Sequence, residues 1–224
     1  MTNPPIVLLH GLATSAQRTW GETGWSDLLA DAGRTVVAID VPGHGGTPPL
    51  EDWSTLEDWV DREIIERCGD VPLDAIGFSL GARILLVLAS RRPDRFGRLI
   101  LAGAGANLFR HDDTGALAAE MSSADLDEHP MARHFLGLAD ASGTDPESVR
   151  ALLRRRQPPL DDDALRAIQS DVLLVMGTDD FAGPAHPLAE RLSTVRTVEL
   201  RGVDHFATPK AMGFLDAGLA HLGA

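Results

Sequence analysis

The pentapeptide Gly77-Phe-Ser-Leu-Gly81 is the strongest chemical pattern in the chain, because it follows an apolar β-branched run and opens a helix-like stretch. A serine on a sharp strand-to-helix turn must take a strained backbone, and glycines two before and two after let neighbouring chains approach it. The hydroxyl of Ser79 would then stand clear above the sheet. The helix N-terminus behind it offers unpaired amides and a positive dipole end. Serine is a poor nucleophile at neutral pH until an imidazole takes its proton, and the imidazole needs a carboxylate to fix its tautomer. Asp204-His205 supplies the imidazole, and Gly177-Thr-Asp-Asp180 supplies a carboxylate at position 179 or 180. The order serine, acid, histidine suits a hydrolase of this kind. His10-Gly11 closes an earlier strand, so the amide of Leu12 is a candidate oxyanion donor, with the amide of Leu80 as its partner. Taken singly, each feature has a plain alternative: a glycine-rich turn, a surface histidine, an aspartate turn signal. His10 is expected to bond its own loop and is given no catalytic role.

The elements that must carry these residues are legible as short apolar strands alternating with helices, a rhythm that predicts a parallel sheet covered on both faces. Six strands are expected: 6–9, 35–39, 73–77, 98–102, 171–176 and 195–200. Ser26 could cap a helix ending at Ala32 before Gly33, and Leu80 to Arg91 reads as a buried helix that stops before Pro93. Serine, acid and histidine each follow a strand, which places all three at the carboxyl edge of the sheet. About 65 residues separate the fourth and fifth strands, far more than a bare crossover needs, so residues 104–170 form an insertion within a single domain, 1–224. Helices are expected there near 125–138, 146–156 and 161–169. The run Asp161-Asp162-Asp163 marks a helix N-terminus in this reading, not a metal site. His129 and His134, five apart, share no helical face, and no metal is assigned.

A formal net charge of −13 argues against a nucleic-acid partner, whose phosphates are bound by Lys and Arg. No apolar run approaches a membrane span, and the segment from Met1 lacks the basic start and long apolar core of a secretory leader. The one cysteine, Cys68, cannot form an intrachain disulfide and is expected to pack on a helix. A cytoplasmic address follows as the expectation. The partner expected is a small neutral or apolar substrate. Oligomeric state is not legible.

With these residues in place, the chain resembles the α/β-hydrolase superfamily over essentially its whole length. Leu8-Leu-His-Gly11 looks like the oxyanion segment and Asp40-Val-Pro-Gly-His-Gly45 like the glycine-rich loop after the second strand. Gly77-Phe-Ser-Leu-Gly81 looks like the nucleophile elbow, Met176-Gly-Thr-Asp-Asp180 like the acid loop and Gly202-Val-Asp-His205 like the histidine loop. The resemblance implies a three-layer fold, a cap over the active site formed by the insertion, and no cofactor. The oxyanion segment comes too early to leave room for the family's usual opening hairpin, so a sheet trimmed to six strands is expected. Thr47 stands where the glycine-rich loop often has serine. Family spacing puts the acid three residues after Gly177, at Asp180. Adjacent side chains of an extended segment diverge, so Asp179 should then be a bystander. The activity implied is hydrolysis of a carboxylic ester or related acyl compound through an acyl-enzyme. Phe109, Met131, Phe135 and Leu136 are the candidate pocket residues from the cap, with packing inside the cap as their plain alternative. The fold also hosts carbon–carbon bond hydrolases, lyases and perhydrolases, and could persist as a ligand-binding module.

Overall fold

The computed structural model describes residues 3–110, 114–158 and 160–224; Met1, Thr2, His111, Asp112, Asp113 and Pro159 lie outside them. Six strands form one sheet: β1 (Ile6–Leu9), β2 (Val36–Ile39), β3 (Leu73–Phe78), β4 (Phe96–Ala102), β5 (Asp171–Gly177) and β6 (Val195–Leu200). Their order is β2-β1-β3-β4-β5-β6 and every pairing is parallel. The order reverses beside β1, and open parallel sheets form their functional crevice at such a point.

Side-chain alternation builds the layers. Val7, Leu9, Leu73, Ala75, Leu99, Leu101, Val172 and Leu174 face one core; Ile6, Leu8, Ile76, Ile100, Leu173 and Val175 face the other. Helices α1 (Trp25–Asp31) and α9 (Met212–Leu222) cover the second face. The first is covered by α2 (Leu56–Cys68), α3 (Leu80–Arg91), α7 (Asp162–Arg166) and the short α8 (His186–Ala189). A two-faced core of this kind is why the strands read as nearly continuous apolar runs.

Three local readings need correction. Ser26 does not cap α1. The helix begins at Trp25 after Gly24, which takes φ 86°, because Trp25 is drawn wholly inside against Trp20 and Phe214 and donates its ring N–H to Pro209 O at 3.0 Å. Helix α2 had no place in the sequence reading beyond Cys68, which is its last residue, half-buried against the core. Its fully buried apolar residues are only Leu56, Val60 and Ile64, set among charged residues. In the insertion, α4 (Thr114–Glu120) was not foreseen. Helix α5 runs Pro130–Ser142 where 125–138 was expected, because Pro130 occupies the first turn and Asp125 instead folds back to accept from the Asp127 amide. Helix α6 (Pro146–Arg154) starts as expected, capped by Asp145. Asp161 caps α7 by accepting from the amides of Asp163 and Ala164. Helices α4, α5 and α6 pack on one another through Ala118, Met121, Phe135, Ala139, Val149 and Leu153, making the cap a small core of its own seated on Ala13.

A buried ion pair ties the far edge together. Arg34 reaches Asp74 Oδ2 at 2.6 Å and also donates to Leu222 O and Pro4 O, joining β3 to the segments leading into β1 and out of α9. Both side chains are nearly inaccessible, so removing one strands the other's charge in the interior. Arg34→Met should lower the unfolding free energy in urea by about 3–5 kcal/mol. A loss indistinguishable from a surface substitution would show that the pair does not brace the sheet.

Candidate active site

The elbow explains the spacing of its glycines. Ser79 sits at φ 53°, ψ −109°, a region that non-glycine residues rarely occupy, and its N–H donates to Ala102 O at 2.8 Å. A β-carbon on Gly77 would lie 2.6 Å from Ala82 N, and one on Gly81 would lie 2.2 Å from Leu9 O. The turn therefore closes only with glycine at both positions. The Gly81 N–H donates to His10 O at 3.0 Å, so the elbow is bonded directly to the loop after β1.

That loop is braced by two buried histidines. His10 Nδ1 lies 2.7 Å from Gly11 O and must donate to it, which leaves Nε2 to accept from Val41 N at 3.0 Å. His44 Nδ1 likewise donates to Pro42 O at 2.9 Å, and its Nε2 accepts from Ala13 N at 3.2 Å. Ala13 is held at φ 60° by this bond. Asp40 Oδ1 accepts from Ala16 N at 2.7 Å. The glycine-rich loop after β2 thus holds the loop after β1 in shape. His10 keeps to its loop, as expected of it. Burial lowers the His10 pKa to about 4. Burial, followed by the neighbouring His10, lowers that of His44 to about 3. Asp40, 3.6 Å from His10 Nε2, does not offset the loss of hydration.

At the other side of Ser79, His205 Nε2 lies 2.9 Å from Ser79 Oγ, and His205 Nδ1 lies 2.9 Å from both carboxylate oxygens of Asp180. Asp180 Oδ1 also accepts from Ala182 N at 2.8 Å. The other two aspartates of these loops point elsewhere: Asp179 is exposed beside Thr178 Oγ1, and Asp204 accepts from Ala207 N. The imidazole lies between Phe78 and Phe181, with ring centroids 4.9 and 4.3 Å away. Such an arrangement can lower the barrier to proton transfer from a serine hydroxyl, since the buried carboxylate steadies the imidazolium that forms.

Two cavities meet at Ser79. One, of about 430 Å³, is lined by Thr14, Arg18, Glu22, Thr23, Lys210 and His205; the other, of about 490 Å³, by Leu80, Leu117, Met131, Leu152 and Phe181. Leu12 and Phe135 line both, and Leu12 and Leu80 line the second cavity together with Ser79. Of the four apolar candidates, Met131 and Phe135 reach a cavity. Phe109 does not line either, because it packs on the main core beneath the Arg191 guanidinium, 4.2 Å from its ring. Leu136, one step round α5 from Phe135, turns into the cap core. Phe181, Phe206 and His134 were missed; Phe181 and Phe206 each follow a triad candidate directly in sequence, the one signal that could have found them. The His134 ring lies tilted against Phe206, with centroids 4.1 Å apart, and His129 faces Glu120.

The family profile described as alpha/beta hydrolase fold matches residues 4–141. The chain is 30% identical over 215 residues to a pimeloyl-[acyl-carrier protein] methyl ester esterase of Nitrosospira multiformis, covering 83% of this chain and 80% of that protein. It is 40% identical over 107 residues to the enzyme of the same name from Aromatoleum aromaticum, 46% of this chain, and so spans only 38% of that protein's length. Among solved structures, an esterase from Exiguobacterium antarcticum superposes with a TM-score of 0.79 at 19% identity, over 100% of this chain and 93% of that one.

The two brace histidines give stability a defined pH dependence. Unfolded rings take up protons below about pH 6.5, whereas the folded ones resist until about 4 for His10 and about 3 for His44. Their stabilising contribution is complete above about 6.5 and is lost as the pH falls, on the order of 1 kcal/mol per pH unit for each ring. Urea unfolding at pH 7 and pH 5 should show this loss, and His44→Gln, which cannot titrate, should reduce the slope by one ring's share. An unchanged slope would mean that His44 is not held neutral.

Proposed function

The chain belongs to the α/β-hydrolase fold family, and from that premise we propose that it hydrolyses carboxylic esters through a covalent acyl-enzyme. The observation that carries the reading is the unbroken hydrogen-bonded chain from Asp180 through His205 to Ser79 Oγ, on a serine held at the strained turn.

In this mechanism Ser79 Oγ attacks the ester carbonyl as His205 Nε2 takes its proton, and Asp180 stabilises the imidazolium through Nδ1. The amides of Leu12 and Leu80 receive the oxyanion, a role whose loss at one donor typically costs about 3 kcal/mol in transition-state stabilisation. Collapse of the tetrahedral intermediate sends the proton to the departing alcohol. His205 then activates water for deacylation. No step calls for a cofactor. The names of the similar proteins, methyl ester esterases among them, agree with hydrolysis of an ester. The cap, 104–170, shapes the pocket through Met131 and Phe135, within a domain taken to span 1–224. Among the described residues no helix is long and apolar enough to cross a membrane. A cytoplasmic setting is supported by the lone thiol of Cys68, which cannot close an intrachain disulfide.

Ser79→Ala should leave the fold intact and reduce p-nitrophenyl ester turnover by roughly three or more orders of magnitude. Activity retained in this variant would sink the assignment. Asp180→Asn should cost roughly four orders of magnitude, since the amide permits the wrong imidazole tautomer, and Asp179→Asn far less. Kinetics of the two variants side by side test this, and a reversed ranking would transfer the role to Asp179.

A further inference from the structure

The wall of the apolar cavity carries two guanidinium groups, Arg110 and Arg83, and among the described residues Arg83 pairs with no carboxylate. Arg83 stands one helical turn beyond Ser79 on α3, half-buried, and lines the same cavity as Ser79, Leu80 and Met131. Its Nε donates to Gln157 Oε1 at 2.9 Å and its Nη2 to Pro158 O at 2.6 Å, both neutral acceptors. Among the described residues no carboxylate forms an ion pair with it, and its other N–H groups, out of the five a guanidinium carries, have no partner.

Behind it lies Arg155, paired with Glu57, both side chains almost wholly inaccessible. Arg155 Nη2 also lies 3.4 Å from the Gln157 oxygen that holds Arg83. Two guanidinium groups therefore share one carboxylate in this corner of the protein, and the surplus positive charge rests on the member that faces the cavity. Burial, with the Arg155 charge second, draws the Arg83 pKa below its ordinary value, though a guanidinium remains protonated at any physiological pH. A desolvated cation without a counter-ion is costly to maintain, and an anion delivered along the cavity would relieve that cost.

The two cavities also differ in which part of an ester they can take. His205, which must hand a proton to the departing alcohol, lines the polar cavity and not the apolar one, so the acyl chain belongs in the latter. We propose that Arg83, held in place by Gln157, binds a carboxylate at the far end of the acyl chain, so that the preferred substrates are monoesters of straight-chain dicarboxylic acids. This rests on the ester-hydrolase reading and adds the substrate class. Met131 and Phe181, exposed at the cavity despite being large and apolar, suit the methylene chain between the two ends.

The test compares monomethyl esters of linear dicarboxylic acids with methyl alkanoates of matched chain length. At the best length the wild type should favour the monoester in kcat/KM by roughly ten- to a hundredfold, the scale of a charge-assisted hydrogen bond. Arg83→Gln should collapse that ratio towards unity, and Arg83→Lys should keep part of it, with thermal melts confirming that both variants fold. Efficient cleavage of the alkanoates without preference for the monoesters, or a preference that survives Arg83→Gln, overturns the inference while leaving ester hydrolysis standing. If no ester is cleaved, the ester reading has failed and the anion site is judged by calorimetric titration of the Ser79→Ala protein with the same monoesters. Binding that vanishes on adding Arg83→Gln supports the site, and no binding overturns it.

Discussion

A backbone contact too close for a β-carbon sets the geometry of the site. Gly81 lies against the carbonyl of Leu9 and Gly77 against the amide of Ala82, and between them Ser79 is forced to a positive φ. The carboxyl end of β1 and the start of α3 are thereby pressed together. Leu12 and Leu80, the neighbours proposed to cradle an oxyanion, come from those two segments. A single methyl group at either glycine would separate them, so the strain at Ser79 is stored by packing around it and not by any bond it makes itself.

The same requirement for rigidity accounts for the buried imidazoles at β1 and β2. His10 and His44 each use one nitrogen on a carbonyl and the other on an amide, so each ring is fixed in one tautomer and spans two loops. They can do this only while neutral, and burial keeps them so. His205 has the same ring in a different setting: a carboxylate on Nδ1 and a hydroxyl on Nε2. One residue type thus serves as a fixed brace at two positions and, in the proposed mechanism, as the proton carrier at a third. What separates the roles is the partner of each ring nitrogen.

Charge is distributed with the same economy. Asp180 is buried against His205, Asp179 is left in solvent, and Asp204 caps its own turn. Arg34 is bonded to Asp74 and two carbonyls, whereas Arg83 has only neutral acceptors. In a molecule with a net charge of −13, Arg83 is a half-buried guanidinium with no carboxylate partner among the described residues, and it lies on the wall of the cavity that begins at Ser79.

The sequence by itself determined the six strands, their parallel pairing, the buried helix after Ser79, and the serine, acid and histidine at one sheet edge. Those follow from local chemistry: apolar runs with period two, glycines that only a tight turn needs, and residues placed directly after strands. Helix α2 escaped because its stripe of Leu56, Val60 and Ile64 is narrow and sits among charges, and α5 moved because Pro130 overrode the periodicity. Asp180 over Asp179 rested on family spacing, since adjacent residues in a loop are equivalent until the chain's path is known. Which cap residues meet the cavity was decided only in three dimensions: Phe135 faces it and Leu136, a single residue on, does not. The charge imbalance at Arg83 likewise belongs to the tertiary structure, because Glu57, Arg83, Arg155 and Gln157 are remote in sequence and only folding sets one carboxylate among two guanidinium groups.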